Sequence, residues 1–339
     1  MESMGRNPEK IAECIRKAGS IAIASHVNPD GDTLGSATAM YLALKSAGKE
    51  VSLFCDGKVP DQLAFLPAAD MFRVPEGNEG PFDLMLAVDV SDPGRLGKCA
   101  GLIGRSRMTA QIDHHSTNPM YMQVNSVDGT APATCILILE QIDTLGIPLT
   151  KETAVCLYTG ISTDTGNFAF ASTNAEAFRM MARLMEQGLP LGQLNRILFR
   201  EKSRAQILLL GKALSTLVFR GSGRIAVMKL TGEDFKTCGA LSEHADTLVN
   251  YGLDTTGTMM ALLAREDGDG RVKMSLRARE PYRVDDTAKA FGGGGHPQAS
   301  GISMNAPLEE AVESVVNALE KKLQTGTSIA KKDLESERT

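Results

Sequence analysis

Acidic and imidazole side chains gather in four short segments of this chain: His26-Val27-Asn28-Pro29-Asp30-Gly31-Asp32, Val88-Asp89, Asp113-His114-His115 and Asp164. The carboxylates of Asp30 and Asp32 beside the His26 imidazole suit a manganese-like or magnesium-like divalent ion better than one that seeks thiolates. Asp89 has two oxygens and can bridge two ions, with His114 and Asp164 completing the second ion's shell. Two divalent ions ~3.5–4 Å apart lower the pKa of a shared water and clamp the oxygens of an in-line displacement at phosphorus. The chemistry indicated is cleavage of a phosphate ester. Taken singly, each residue has a plainer explanation, since a strand-terminal Asp often caps a helix and a lone His is usually just hydrogen-bonded. Together they do not, because close carboxylates raise one another's pKa and need cations among them. Of the five histidines in the chain, three belong to this set.

The segments need elements that aim them at one place. Short uncharged apolar runs at 21–24, 84–88 and 108–112 precede three of them and read as buried parallel strands, whose carboxyl ends would open on one crevice. Gly31 and Pro29 permit the sharp turn after the first run. The wider pattern is strand 20–25, helix 33–47, strands 50–55, 84–90 and 108–113, then helices near 131–145 and 150–161. Asp32-Thr33 stands where the cap of the first of these helices belongs, and Gly48 follows its last periodic residue. This is an α/β domain with a mostly parallel sheet covered on both faces.

Residues 174–215 keep helical periodicity and hold one proline, Pro190, as a connector would. From 216 the signal turns to strands at 217–220, 225–230, 259–265 and 271–279, closed by a helix at about 307–323. Glu266-Asp267-Gly268-Asp269-Gly270 is a turn sequence that makes the last two strands a hairpin. The expected organisation is a metal-binding catalytic domain at 1–190, a helical connector at 191–215, a smaller α+β substrate-binding domain at 216–325 and a flexible tail at 326–339.

The hairpin's second strand alternates with period two, so Arg271, Lys273, Ser275, Arg277 and Arg279 share one face, opposite Val272, Met274, Leu276 and Ala278. A solvated basic face is the plainer explanation for one such strand. Gly292-Gly293-Gly294-Gly295-His296 shifts the balance, since consecutive glycines let backbone N–H groups surround a phosphate and His296 adds a donor.

Composition narrows the partners. With 339 residues, 42% of them hydrophobic, the chain can build two cores. No apolar run approaches the ~20 residues that span a bilayer, and the polar start, 1–10, is unlike a signal peptide, so a cytoplasmic protein without membrane attachment is expected. Six scattered cysteines without a C-x-x-C pair suggest neither a zinc knuckle nor disulfides. A net charge of -5 excludes an overall basic coat for long duplexes, and 5% aromatic residues with no Trp leave no aromatic groove for a long single strand.

These residues resemble a known family, the DHH phosphoesterases, named for the triplet seen here as Asp113-His114-His115. The His-x-Asn-Pro-Asp-x-Asp-x-x-Gly-Ser signature is matched in full by His26 through Ser36, and two further motifs by Val88-Asp89 and Ser162-Thr163-Asp164-Thr165-Gly166. Gly293-Gly294-Gly295-His296 and Ser275-x-Arg277 are similar to the nucleotide-gripping motifs of the DHH-associated C-terminal domain, so the likeness spans about residues 15–320. The resemblance implies that His26, Asp30 and Asp89 hold one ion and Asp32, Asp89, His114 and Asp164 the other. It implies that His115 faces the scissile phosphoryl group, with Asp89 completing the catalytic pair, and that Asn28 and Asp113 stand behind the ligands and orient them. Ser275, Arg277, Gly293, Gly294, Gly295 and His296 would bind substrate, at a site between the domains.

Membrane-anchored cyclic-dinucleotide phosphodiesterases and RecJ-type exonucleases carry extra segments for which this chain has no room. Within the family the chain resembles the NrnA type, and that resemblance implies two divalent ions, Mn2+ before Mg2+ or Co2+, and as substrates two- to five-nucleotide RNAs, linear dinucleotides or 3′-phosphoadenosine 5′-phosphate. Family members often pair through the first domain, so a homodimer is implied too. The rival expectations are a pyrophosphatase, which shares the first-domain motifs, and a silent nucleotide-binding regulator.

Overall fold

A computed structural model of the chain describes residues 5–267 and 270–336, with side chains described as far as 324. The residues form two compact units, Met1–Glu201 and Lys202–Thr339.

The first unit runs α1 (Pro8–Lys17), β1 (Ser20–Ala24), α2 (Gly31–Ser46), β2 (Glu50–Phe54), β3 (Phe72–Arg73), β4 (Phe82–Val88), β5 (Ser106–Asp113), β6 (Val124–Val127), α3 (Thr134–Thr144), α4 (Lys151–Asp164), α5 (Ala175–Glu186) and α6 (Leu191–Asn195). The sheet order is β3-β2-β1-β4-β5-β6 and every pairing is parallel, as the uncharged runs require. The order reverses between β1 and β4, and in open parallel sheets ligands bind outside the carboxyl ends at that switch point. The segments after β1, β4 and β5 carry His26, Asp89 and His114.

Helix α2 has small and apolar residues all round and is buried nearly throughout. It crosses α4 at close range through two glycines. A Cβ on Gly35 would lie 2.5 Å from the Cys156 carbonyl oxygen and 3.2 Å from the Gly160 nitrogen, and one on Gly160 would lie 2.5 Å from Asp32 Oδ1. Only hydrogen at both positions lets the helices meet this closely. Near the amino terminus, Arg6 ties the chain down: Nε donates to Asp128 at 2.7 Å, and the two terminal nitrogens donate to Glu176 at 2.6 and 2.8 Å.

Three elements of this unit have no counterpart in the sequence pattern. β6 reads Val-Asn-Ser-Val, and its buried Asn125 and Ser126 are hydrogen-bonded rather than apolar. β3 is two residues long, and α1 shows only Ile11, Ala12 and Ile15 to the core.

The second unit runs α7 (Arg204–Ser215), β7 (Val218–Arg220), β8 (Ile225–Leu230), α8 (Gly232–Cys238), α9 (Val249–Leu253), β9 (Met260–Glu266), β10 (Val272–Ala278), α10 (Asp285–Ala290), β11 (Gly294–His296), β12 (Ala299–Met304) and α11 (Leu308–Ser336). Its mixed sheet has the order β11-β12-β10-β9-β8-β7. β9 and β10 pair antiparallel from Val272↔Glu266 to Ala278↔Met260, as the turn sequence implied. Gly268 and Asp269 of that turn, and 337–339 of the expected flexible tail, lie outside the described residues, while 326–336 of that tail continue the backbone of α11 as helix. The stretch read as a connector, 191–215, divides, with α6 in the first unit and α7 packing Leu209 and Ala213 into a core of the second.

Val272, Met274, Leu276 and Ala278 are buried on one side of β10, in a core shared with α11. The other side of the sheet is covered over β8 and β9, where Ala226, Met228, Ala261 and Leu263 pack with residues of α7, α8 and α9. The glycine run leaves a turn at Gly292 and enters a strand at Gly294. Gly294–His296 is an edge strand antiparallel to β12, and a Cβ on Gly295 would come within 2.5 Å of the Ala299 carbonyl oxygen. At Gly293 and Gly295 the side chain is missing so that two backbones can touch.

Candidate active site

Each acidic or imidazole group is set by the end of an element. β1 stops at Ala24, and the chain turns through Asn28, at φ 51°, into α2. Asn is among the residues that accept a left-handed backbone, and Asn28 supplies that turn here. The cap of α2 is Asp30, two residues earlier than the pattern suggests, accepting from the Asp32 and Thr33 amides at 3.1 Å each. Asp89 follows the last residue of β4 at φ 61°, a conformation that costs a non-glycine residue energy and is held here by surrounding bonds. Asp164 closes α4, where the helix dipole disfavours a carboxylate and a nearby cation would offset the cost.

The seven groups converge. His26 Nε2 lies 3.5 Å from both Asp30 and Asp89, and His114 Nε2 lies 3.1 Å from Asp164, 3.6 Å from Asp89 and 4.0 Å from Asp32. Three overlapping sets of donor atoms, His26/Asp30/Asp89, Asp32/His114/Asp164 and Asp89/His114/His115, each fall within 4.8 Å of one another. Asp89 contributes to two sets, as a bridging carboxylate must.

Hydrogen bonds fix how the rings point. His26 Nδ1–H donates to the Val27 carbonyl at 2.8 Å and His114 Nδ1–H to the Ala131 carbonyl at 3.1 Å. Both rings therefore turn Nε2 inward, toward the carboxylates, the orientation metal-ligating histidines need. His115 is different: its Nδ1–H donates to Asp113 Oδ1 at 2.8 Å. Asp113 thus orients His115, whereas the sequence reading made it the support of a ligand histidine.

Three supports carry no pattern visible in the sequence. The amides of Thr134 and Cys135, at the start of α3, donate to Asp32 at 2.5 and 2.9 Å. The Thr134 hydroxyl donates to Asp89 Oδ1 at 2.8 Å. The Ala131 carbonyl, which holds His114, belongs to the same approach to α3. Ala133-Thr134 looks from sequence like an ordinary helix start, and only the fold brings carboxylates to it.

The electrostatics are those of an acid cluster short of positive charge. Burial pushes the Asp32 carboxyl well above its usual range, and Asp89 and Asp164 add repulsion. Burial likewise raises Asp89, against the pull of His26. Burial works against a charged imidazole, yet Asp30 and Asp89 outweigh it and push His26 up to about 10, while Asp164, Asp32 and Asp89 do the same for His114. Four carboxylates with neutral imidazoles would be balanced by two dications, and the donors are oxygens and imidazole nitrogens alone. The residues fit such ions.

In the second unit, Ser275 and Arg277 project from the partly exposed side of β10. Register places Gly294, Gly301 and Ser275 in one row and His296, Ala299 and Arg277 in the next, so Gly294, His296, Ser275 and Arg277 of the two sequence motifs share one sheet face. Arg277 has no carboxylate within ion-pair distance among the described residues, and burial holds its guanidinium below the usual range. An unpaired, partly buried cation beside exposed glycine backbone can receive a phosphate.

Comparison with known proteins agrees with this arrangement. The DHH family N-terminal domain matches residues 20–161, and the DHHA1 domain matches 224–325. The chain is 35% identical over 316 residues to the bifunctional oligoribonuclease and PAP phosphatase NrnA of Thermus thermophilus, covering 92% of this chain and 93% of that one. The Bacillus subtilis protein of the same name is 27% identical, over 84% of this chain and 89% of the relative. A crystal structure of an exopolyphosphatase-related protein from Bacteroides fragilis superposes with a TM-score of 0.86 at 26% identity, covering 93% of this chain and 95% of that one. No helix among the described residues is long and apolar enough to cross a membrane. With its ligand-bearing strand ends and its second domain both matched, the chain belongs to the DHH family of phosphoesterases, with a DHHA1 domain following the DHH domain.

Proposed function

We propose that this hydrolase cleaves short oligoribonucleotides and linear dinucleotides and removes a phosphate from 3′-phosphoadenosine 5′-phosphate, using two divalent ions, Mn2+ in preference to Mg2+ or Co2+. The observation that carries the reading is the sharing of buried Asp89 between two donor sets, with Nε2 of His26 and of His114 turned inward. His26, Asp30 and Asp89 would hold one ion, and Asp32, Asp89, His114 and Asp164 the other. When bound, such ions supply Lewis acidity that lowers the pKa of water and polarises phosphoryl oxygens.

The chain's own residues do the rest. His115, steadied by Asp113, presents Nε2 to a phosphoryl oxygen and stabilises charge that develops there. Arg277, Ser275, the Gly293–Gly295 backbone and His296 hold a nucleotide phosphate, so substrates with a nucleotide are favoured over pyrophosphate. The names of the Thermus thermophilus and Bacillus subtilis relatives support the two substrate classes. Short RNA fragments arise in the cytoplasm, and the reading places the enzyme there, as a homodimer whose mass sedimentation would read.

The test is a Mn2+-supplemented product assay on a labelled dinucleotide, a pentamer, the adenosine bisphosphate and pyrophosphate, with Asp89→Asn in parallel. Release of mononucleotides or phosphate by the wild type alone is the expected result. Cleavage of pyrophosphate alone, or activity surviving in Asp89→Asn, would overturn it.

A further inference from the structure

Behind Asp113 lies a buried polar cluster that metal binding does not require. Asp113 is fully buried, and its second oxygen accepts from Asn118 Nδ2 at 2.6 Å. The Asn118 amide is exchanged with that of Gln111: Asn118 Nδ2 donates to Gln111 Oε1 and Gln111 Nε2 donates to Asn118 Oδ1, both at 3.1 Å. Gln111 Nε2 also donates to Asn125 Oδ1 at 2.5 Å. Asn125 is anchored in turn by the Met122 backbone, accepting from its amide at 3.2 Å and donating to its carbonyl at 2.7 Å. The Met120 amide at 2.8 Å completes Asn118 Oδ1, and the Val90 carbonyl at 3.2 Å lies within reach of Nδ2.

Gln111, Asn118 and Asn125 are 1%, 4% and 5% exposed, on or beside strands whose neighbours are apolar. Burying three amides costs free energy unless every bond is made, and a satisfied network of this kind rigidifies what it touches. A carboxylate only accepts, so the Asp113 contact fixes which way the Asn118 amide faces, and each further bond follows from that choice. The network ends on one group, the imidazole of His115. His115 is itself exposed enough to meet a ligand, with 32% of its side chain accessible, and Asp113 is its bond partner at Nδ1.

We propose that Asn118 and Gln111 are positioning residues, which lock Asp113 and through it hold the His115 ring with Nε2 toward the phosphoryl group. The proposal rests on the reading of His115 given above. Asn118 touches no reacting atom, and Gln111 is one amide further back. Their effect on turnover passes through the ring.

The experiment is a double-mutant cycle in the full chain with Mn2+ and a labelled dinucleotide. Asn118→Ala and Gln111→Met are each measured alone and combined with His115→Ala, with Mn2+ affinity followed by calorimetry. Each single variant is expected to lower kcat on the order of 10- to 100-fold, with KM and Mn2+ affinity within about twofold of wild type. In the His115→Ala background neither should lower kcat further. Losses that multiply in both backgrounds, or Mn2+ affinity falling in step with kcat, would overturn the proposal. If Asn118→Ala does not fold, Gln111→Met decides the same question, because it removes the clamp while leaving the Asn118–Asp113 bond. A wild type inactive on the dinucleotide would refute the functional reading instead, a result separate from any of these.

Discussion

Gly35→Ala tests whether the close crossing of α2 and α4 builds the metal cluster. The added methyl would sit 2.5 Å from the Cys156 carbonyl oxygen, with Cys135 Sγ and the Gly160 nitrogen at 3.2 Å. A comfortable carbon–oxygen approach is about 3.3 Å, so the helices must part by roughly 0.8 Å. Alanine gains about 1 kcal/mol over glycine as a helix former, whereas overpacking a filled contact costs about 1–3 kcal/mol. The obstacle is backbone and not a flexible side chain, so the cost wins by about 1 kcal/mol, or ~2–4 °C in melting temperature for a unit of this size. The site should suffer more than the fold. Asp32 rides on α2 and Asp164 on α4, and about 0.8 Å is several times the ~0.2 Å that metal–ligand distances tolerate. Melting in chelator reads the first effect, and calorimetric titration with Mn2+ reads the second. Gly211→Ala in α7 is the control: nothing lies within 4 Å of its added methyl, so it should stabilise by about 0.5–1 kcal/mol. A Gly35→Ala protein as stable as wild type, with unchanged Mn2+ affinity, would refute the reasoning.

Other perturbations separate the roles of individual groups. His115→Ala should lower turnover by about a hundredfold while leaving Mn2+ stoichiometry unchanged by metal analysis; equal loss of both would make it a ligand. Arg277→Ala should raise KM for a dinucleotide by roughly 10- to 100-fold, the worth of a charged hydrogen bond, and leave a base-free phosphodiester almost unaffected. Arg6→Ala should destabilise by about 1–2 kcal/mol at pH 7, because it strips Glu176 and Asp128 of their cation in a partly buried setting. Arg6 holds the Glu176 carboxyl below its ordinary range, so that contribution is complete above about pH 5 and fades as pH falls through the lowered value. The gap between the two melting curves should therefore narrow toward pH 3, and a gap independent of pH would show that packing, not charge, is lost.

How far the sequence carries depends on whether a feature is local. β1, β4 and β5 announce themselves because strands buried on both faces read as unbroken apolar runs, and the acidic and imidazole residues at their ends follow directly. β6 and β12 are invisible for the opposite reason. Asn125 and Ser126 satisfy their polar groups by contacts made only in the fold, and β12 reads Ala-Ser-Gly-Ile-Ser-Met, with too few apolar residues to mark a period. Gly293 and Gly295 signalled freedom and turned out to signal contact with the backbone of β12, whereas a Cβ on Gly294 would meet nothing. The supports of the cluster, the Thr134 hydroxyl and the Ala131 carbonyl, lie more than 40 residues from Asp89 and 17 from His114, so no spacing rule could find them. Donor atoms on adjacent motifs are legible; the bonds that aim them are tertiary.

The left-handed backbone at Asp89 restricts which mutations the lineage of this enzyme can explore. A longer acid such as Glu keeps the charge but enters a conformation that only Asp, Asn and Gly adopt cheaply, so conservative drift in side-chain length is closed off. Asn, by contrast, keeps the turn and the shape while discarding the anion. A single such exchange would leave an intact scaffold with its chemistry extinguished, which makes this position a ready route by which duplicated copies become binding proteins.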